Sequence, residues 1–238
     1  MQIKLNASIK SGATIIEGFP GFGLVGTITT EYLIDHLNAK QVGSLYSDKI
    51  PPIIAIHEGE VIEPLAIFYD SKSNIIILRA IANISGLEWQ LTDSVLDLAK
   101  KIKAKELISL EGIGGQKTKT TAEPTAFYFS TTEKSKKRLK ATGLEQLREG
   151  IVIGNTASLL SKAKDSTFIF VESCSELPDS GAAAKIIEVL DKYLNLKVDY
   201  KPLIEKADKF ERKVRDLILR GAMTAKEKMK RESESYIG

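Results

Sequence analysis

Two kinds of segment alternate along the chain. Short runs rich in isoleucine, leucine and valine end in turn residues, and longer segments with apolar positions three or four residues apart follow them. This order predicts an α/β fold, with a largely parallel central sheet and helices on both of its faces (an αβα sandwich). The predicted strands are residues 13–17, 41–46, 53–57, 65–69, 74–80, 106–110, 150–153 and 167–172. The predicted helices are residues 24–38, 88–103, 157–164 and 181–194.

Residues 112–150 are less regular. They contain the polar sequence GGQKTKTTAEPT and the basic run KSKKRLK. This composition predicts an exposed excursion from the sheet. The basic run has no interleaved aromatic residues, which favours a solvated loop over a nucleic-acid site.

The pattern changes near Tyr200, which divides the chain into an α/β core domain (residues 1–198) and a C-terminal helical extension with a tail (residues 199–238). A stripe of apolar residues steps by four and three along the extension, and predicts a helix that packs on a neighbouring subunit or on its own core. The stripe consists of Leu203, Ala207, Phe210, Val214 and Leu217. The residues after Arg231 lack a helical pattern, so we expect a flexible tail.

Composition is that of an ordinary globular protein and argues against several kinds of site. Hydrophobic residues make up 43% of the 238 positions and charged residues 27%, with a net charge of +3. This small charge does not indicate nucleic acid, and the apolar runs are too short to span a membrane. One cysteine and two histidines argue against a disulfide and a Cys/His metal site. We therefore expect a cytoplasmic protein without a cofactor.

Four glycines, in the sequence EGFPGFGLVG, lie between the first predicted strand and the first predicted helix. Gly21, Gly23 and Gly26 satisfy the G-x-G-x-x-G spacing of dinucleotide-binding turns, and Asp48 lies where a ribose-binding acid belongs. One interpretation is therefore a nucleotide-dependent enzyme that uses the turn at residues 21–26.

The alternative interpretation gives these glycines, together with Gly18, a structural role. Pro20 fixes the backbone just before the motif, and Phe19 and Phe22 place rings where a pyrophosphate needs open backbone amides. Glycine also serves strand-to-helix turns that require unusual dihedral angles or close packing. On the residues alone, both interpretations stay open.

The remaining motifs do not assemble a catalytic set. The sequence EGIGGQKT fails the spacing of a phosphate-binding loop. Asn155 or Thr156 is predicted to cap the helix that follows. Glu111, Glu172 and Asp179 lie near the ends of predicted strands and can converge in a crevice, as surface carboxylates of α/β domains often do.

Five short sequences, in their order and spacing, resemble the archaeal branch of the proteasome assembly chaperone 2 family. They are GFPGFGLVG, DKIPP, EGIGG, GNTASLL and ELPDSGAAAKIIEVL, spread over residues 13–196. The resemblance implies a non-enzymatic, ATP-independent chaperone or adaptor that forms homo-oligomers and binds proteasome α-subunits, with or without a paralogue. It also implies that the four glycines shape a turn. Some relatives are grouped with ATP-grasp ligases, so a ligase-like enzyme is the alternative.

The C-terminus bears on how such a protein binds its partner. In archaeal members that dock on the proteasome, the last three residues are hydrophobic, tyrosine and any residue, and they insert between α-subunits. This chain ends in Ser235, Tyr236, Ile237 and Gly238, so its tyrosine is third from the end. The resemblance assigns partner binding to Tyr236, Ile237 and Gly238, with an altered order.

Overall fold

A mixed sheet organises the structure, a computed structural model that describes residues 1–50, 52–57, 59–82, 84–114, 123–173 and 178–205. Its nine strands are β1 (Gln2–Leu5), β2 (Thr14–Glu17), β3 (Lys40–Tyr46), β6 (Leu65–Asp70), β7 (Ile75–Ala80), β8 (Glu106–Gly114), β9 (Ala126–Ser130), β10 (Glu145–Gln146) and β11 (Ser166–Ser173). A separate two-stranded hairpin consists of β4 (Ala55–His57) and β5 (Glu60–Ile62).

Helices connect these strands. In the described part of the chain they are α1 (Val25–Leu37), α2 (Glu88–Lys101), α3 (Glu133–Ala141), α4 (Gly154–Lys162), α5 (Ser180–Leu194) and α6 (Lys201–Glu205). A short 3-10 turn, Phe22–Leu24, leads into α1. None of the helices described is long and apolar enough to cross a membrane.

The predicted α/β fold with helices on both faces of the sheet is confirmed. The strand order is β1-β3-β6-β7-β2-β8-β11-β9-β10. The four strands at its centre, β7, β2, β8 and β11, run parallel, whereas β6 pairs with β7, and β9 with β11, in the antiparallel direction. The parallel arrangement predicted from the sequence is therefore found at the centre, and again between β9 and the short edge strand β10. Every residue of β2, β6 and β7 is buried, as expected for strands covered on both faces.

Two hydrophobic cores lie on opposite faces of the sheet. One contains Ile16 and Ile28 and is covered by α1 and α5, with Leu139 of α3 at its margin. The other contains Ile15 and Leu91 and is covered by α2 and α4. Adjacent residues of β2 enter different cores because side chains alternate along a strand.

One predicted strand is wrong. Residues 150–153 are not part of any strand, and the sheet position beside β11 is taken by β9. Ile151 and Ile153 are 92% and 78% exposed. The β-branched residues of this segment favour a strand locally, but this preference depends on burial that the fold does not provide here.

The basic run is also not a loop. It forms most of α3, which begins after the capping residue Thr132 and buries Leu139. Arg138 packs on the ring of Tyr193 of α5, with its guanidinium carbon 4.1 Å from the ring centre. One basic side chain of the run is therefore committed to packing between helices.

The predicted helix cap is wrong as well. The cap of α4 is Ile153, whose side chain makes no capping bond, and Asn155 and Thr156 lie inside the first turn of the helix. Both are buried and face the end of the sheet. Asn155 therefore lines a crevice at this end of the sheet, and Thr156 is hydrogen-bonded to Glu111, which also lines it.

Candidate functional site

The glycine turn joins the end of β2 to the start of α1. Gly26 lies so close to β8 that a Cβ atom there would be 2.6 Å from the carbonyl oxygen of Leu110, and Gly18 lies against the backbone of Gly26. Gly23 has a φ of +64°, in the left-handed region, and its carbonyl oxygen accepts a 2.9 Å bond from the backbone N–H of Asp179. The turn is therefore closed by backbone contacts with β2, β8 and the residue that caps α5.

This packing bears on the dinucleotide interpretation. A phosphate needs open N–H groups at the start of the helix, but Val25 and Gly26 are buried against protein. A Cβ atom at Gly21 would collide with the carboxylate of Glu111, so the space next to the turn holds an acid. The described residues that line the adjoining crevice include no lysine or arginine. The geometry favours the structural role of the glycines.

The crevice lies beside this turn, at the carboxyl ends of β2 and β8. It has a volume of about 550 Å³. Phe19, Phe22, Ile84, Ile113, Ile151 and Ile153 form its apolar walls. Its polar groups include Glu88 of α2, Glu111 of β8 and Asn155 of α4. Crevices at the carboxyl ends of parallel strands are where α/β proteins usually bind ligands.

A chain of four polar side chains ends at the crevice with Glu111. Thr156 donates a hydrogen bond of 2.9 Å to Oε2 of Glu111. The hydroxyl oxygens of Thr156 and Ser109 are 3.3 Å apart, and Ser109 is hydrogen-bonded to Glu17, the last residue of β2. A hydroxyl has only one proton to donate, so Ser109 can donate to Glu17 while Thr156 donates to Glu111. The two carboxyl groups are thus connected through two neighbouring hydroxyl groups.

Burial raises the pKa values of the two carboxyl groups at the ends of this chain. Glu17 is 1% exposed, and burial raises its pKa to about 8, with a smaller upward contribution from Glu111; hydrogen bonds from Ser109 and the backbone of Phe19 oppose the shift. Burial also raises the pKa of Glu111 to about 7, against hydrogen bonds from Thr156 and the backbone N–H of Phe22. Perturbed acids in a cleft are typical of functional sites.

Two buried polar groups of this region lack partners. The amide of Asn155 makes no hydrogen bond to any described residue through either Nδ2 or Oδ1, although Asn155 is only 8% exposed. Oε1 of Glu17 is also without a partner in the described structure. An unpaired buried polar group costs free energy, so each needs an explanation.

The three acids noted at strand ends do not all meet. Glu111 lines the crevice. Asp179 instead caps α5, where its carboxylate accepts from the backbone N–H of Ala182 at 2.9 Å and from the hydroxyl of Ser173 at 2.8 Å. Glu172 lies on β11 in register with Ile113. Glu17 and Ser109 belong to no motif; their position at strand ends on one face was the only signal in the sequence.

Most of the C-terminal predictions lie outside the described residues. Leu203, the first member of the apolar stripe, is 1% exposed and belongs to the core beneath α1 and α5. The other stripe residues and the tail residues are not described: Ala207, Phe210, Val214, Leu217, Tyr236, Ile237 and Gly238. Their roles, and the division of the chain near residue 198, stay predictions.

Among the described residues, exposed apolar side chains gather at two places. One lies on and beside the β4–β5 hairpin, where Ile54, Ile56 and Val61 are each more than half exposed. The other borders the crevice and contains Ile151 and Ile153, already described. Exposed apolar patches of this kind are typical of surfaces that bind other proteins or ligands.

The sandwich, the closed glycine turn and the crevice define a class of protein. The chain belongs to the PAC2 family, whose family model matches residues 15–218. The described histidine, cysteine, aspartate and glutamate residues include no cluster of three or more that could hold a metal ion.

The chain is similar to several archaeal proteins. Pyrococcus furiosus PbaA, an archaeal homolog of proteasome-assembly chaperone, has 30% identity, with 94% of this chain and 100% of PbaA covered and a TM-score of 0.82. An uncharacterized protein of Methanocaldococcus jannaschii is 30% identical over 85% of this chain and 84% of its own length. P. furiosus PbaB, an archaeal proteasome activator, is 24% identical over 91% of this chain and 98% of PbaB, with a TM-score of 0.70, which shows a common fold.

Proposed function

We propose that this protein is a proteasome assembly chaperone or adaptor that binds proteasome α-subunits as a homo-oligomer, without ATP and without catalytic activity. The observation that carries the proposal is the match to PbaA, which extends over the whole of PbaA and nearly all of this chain. Membership of the PAC2 family supports the same role.

The surface of the protein supports this function physically. A chaperone or adaptor must present apolar groups that a partner can cover, and the β4–β5 hairpin exposes three branched apolar side chains. A homo-oligomer would present several copies of its C-terminal extension at once, and this multiplicity raises the avidity for a ring-shaped partner without new contacts.

A nucleotide-dependent enzyme is the second candidate, because the crevice lies where α/β proteins usually bind ligands. The closed glycine turn and the acidic crevice favour the chaperone. Calorimetry with NAD, NADP, ATP and ADP separates the two candidates. A micromolar dissociation constant that is lost on replacing Gly23 with a bulky residue would favour the enzyme.

Binding to α-subunits is tested by a pull-down with assembled and unassembled α-subunits of the same organism. The full chain is compared with a chain lacking residues 233–238 and with Tyr236→Ala, and Ser235→Ala is the matched control. Loss of binding in the first two variants alone would assign recognition to the tail. Equal binding by all would assign it to the α/β body, and binding by none would contradict the proposed function.

Oligomerisation needs its own measurement. Light scattering at micromolar protein concentration is expected to give a mass that is a multiple of 26.2 kDa. Ile56→Ser changes an exposed side chain of the hairpin and should leave the fold intact, so a fall in mass would place the hairpin in the subunit interface. A monomeric full chain would contradict the homo-oligomer.

A further inference from the structure

The crevice has an unbalanced charge. Among the described residues that line it, the ionisable side chains are the carboxyl groups of Glu88 and Glu111. Glu17 lies behind them on β2, and Glu172 lies on the same face of the neighbouring strand β11. The other residues that α4 contributes here, Asn155 and Thr156, are uncharged. A bound anion would therefore meet acids and no compensating cation from these residues.

Asn155 is an independent sign of a ligand. Its amide has a donor and an acceptor that are both unpaired among the described residues, and the residue lines the crevice. Leaving both atoms unpaired is costly at 8% exposure. A hydroxyl group of a molecule in the crevice, which can both donate and accept, would satisfy them.

The walls restrict the shape of that molecule. The rings of Phe19 and Phe22 and the side chain of Ile113 form apolar surface next to the acids. Aromatic rings bind cations on their faces and apolar groups through burial. A volume of about 550 Å³ is within the range of small-molecule sites.

We propose that the crevice is a binding site for a small primary amine with an aromatic or apolar body and a hydrogen-bonding oxygen. The ammonium group pairs with the carboxylate of Glu111, the body lies between Phe19 and Ile113, and the oxygen pairs with the amide of Asn155. This site goes beyond the proposed chaperone function and does not depend on it.

Protonation gives the site a measurable signature. Since burial holds the pKa of Glu111 near 7, a cation that pairs with its carboxylate displaces a proton over part of the population at neutral pH. The affinity for the amine should therefore rise between pH 6 and pH 8.5, while an alkyl ammonium stays protonated. Burial raises the pKa of Glu17 to about 8, so its ionisation in the same range acts in the same direction.

Calorimetry on the full chain with three probes tests the charge. Tyramine, tyrosol and 3-(4-hydroxyphenyl)propionate share a phenol ring and differ in carrying an ammonium, a hydroxyl and a carboxylate group. We expect tyramine to bind at least ten times more tightly than the other two at pH 8, and to release protons on binding at pH 7. Binding of tyrosol or the propionate as tightly as tyramine, or binding of none, would overturn the proposal.

Variants locate the site. Glu111→Gln keeps the shape of the side chain and should weaken tyramine binding at least tenfold, and Asn155→Ala should weaken it several-fold. Glu133→Gln on α3, an exposed acid outside the crevice, is the matched control and should leave binding unchanged. Thermal melting checks that each variant is folded. Unchanged binding in folded Glu111→Gln would place the probe elsewhere and overturn the assignment.

Discussion

Buried acids on the two faces of the central sheet have different partners. On the face covered by α1 and α5, Glu31 pairs with Arg79 at 2.7 Å, and both side chains are at most 5% exposed. Glu106 on the same face accepts a hydrogen bond of 2.6 Å from Tyr193 and lies 3.6 Å from the guanidinium of Arg138. Both of these carboxyl groups have a cation beside them, whereas Asp70, at the end of β6 on the same face, accepts from the backbone N–H groups of Lys72 and Ser73.

On the face covered by α2 and α4, the partners of Glu17 and Glu111 among the described residues are hydroxyl groups and backbone N–H groups. Glu17 and Glu111 are connected through Ser109 and Thr156, and this chain ends at the crevice. A buried charge without a counter-ion is unfavourable, so the carboxyl groups become neutral more easily. We call the face covered by α1 and α5 the closed face, and the face covered by α2 and α4, on which the crevice lies, the open face.

The largest expected effect comes from removing the cation of the closed face. Arg79→Met keeps most of the side-chain volume but leaves Glu31 buried without its cation. The free energy of unfolding should fall by about 3–5 kcal/mol, because an isolated buried charge is costly. Urea denaturation at pH 7 measures this. Combining Arg79→Met with Glu31→Leu should recover much of the loss; a double variant as unstable as the single one would contradict the role of the ion pair.

A substitution in the glycine turn tests how closely α1 packs against the closed face of the sheet. In Gly26→Ala the new Cβ would lie 2.6 Å from the Leu110 carbonyl oxygen and 2.9 Å from Cα of Gly18, and backbone atoms cannot move aside cheaply. We expect a loss of about 1–3 kcal/mol by denaturation. Gly150→Ala is the control, since its nearest neighbours are atoms of the Leu147 side chain at 3.6 Å or more. Equal stability of the two variants would mean that the turn can relax.

The contrast between the faces also explains what the sequence could predict. The central strands were predicted because apolar runs such as III at residues 75–77 are long enough to mark buried strands. The helix α3 was missed because it carries one buried apolar residue, Leu139, among basic residues. The strand predicted at residues 150–153 was wrong because its apolar residues Ile151 and Ile153 are exposed, and therefore do not mark a buried strand.

The crevice was predictable only in part. Glu111 was noted because it follows a strand, where α/β crevices form. Its partner Thr156 lies 45 residues away on α4, and no spacing in the sequence links the two. The amide of Asn155 lacks hydrogen-bond partners because of the side chains that pack around it. A single sequence does not show which side chains these are.

The buried acid Glu17 on the open face should make the stability of the protein depend on pH. The pKa of Glu17 is raised to about 8 in the folded protein, so the unfolded chain releases its proton at lower pH than the folded protein does. Stability should therefore fall between about pH 5 and pH 8, by up to ~1.4 kcal/mol per pH unit for each proton involved. Glu17→Gln stays neutral and should flatten this decline.

Denaturation midpoints at several pH values measure the effect of Glu17→Gln. Glu133→Gln, which changes an exposed acid on α3, serves as the control and should keep the decline seen in the unchanged protein. If the decline in Glu17→Gln matched that of this control, the buried acid would not be its source, and the contrast between the two faces would lose its electrostatic basis.

The smallest expected effect concerns a single hydroxyl group on the open face. Thr156→Val removes the hydrogen bond to Glu111, which should cost about 1–2 kcal/mol at pH 8.5, where that carboxyl group is ionised, and less at pH 5.5. The pKa of Glu111 should rise further, as followed by NMR of its side-chain carboxyl carbon. Thr27→Val on α1 is the matched control, because the buried Thr27 hydroxyl has no partner in the described structure and its loss should be neutral or stabilising. Equal losses in the two variants at both pH values would mean that Thr156 acts through packing alone, and that its hydroxyl does not hold the ionised form of Glu111.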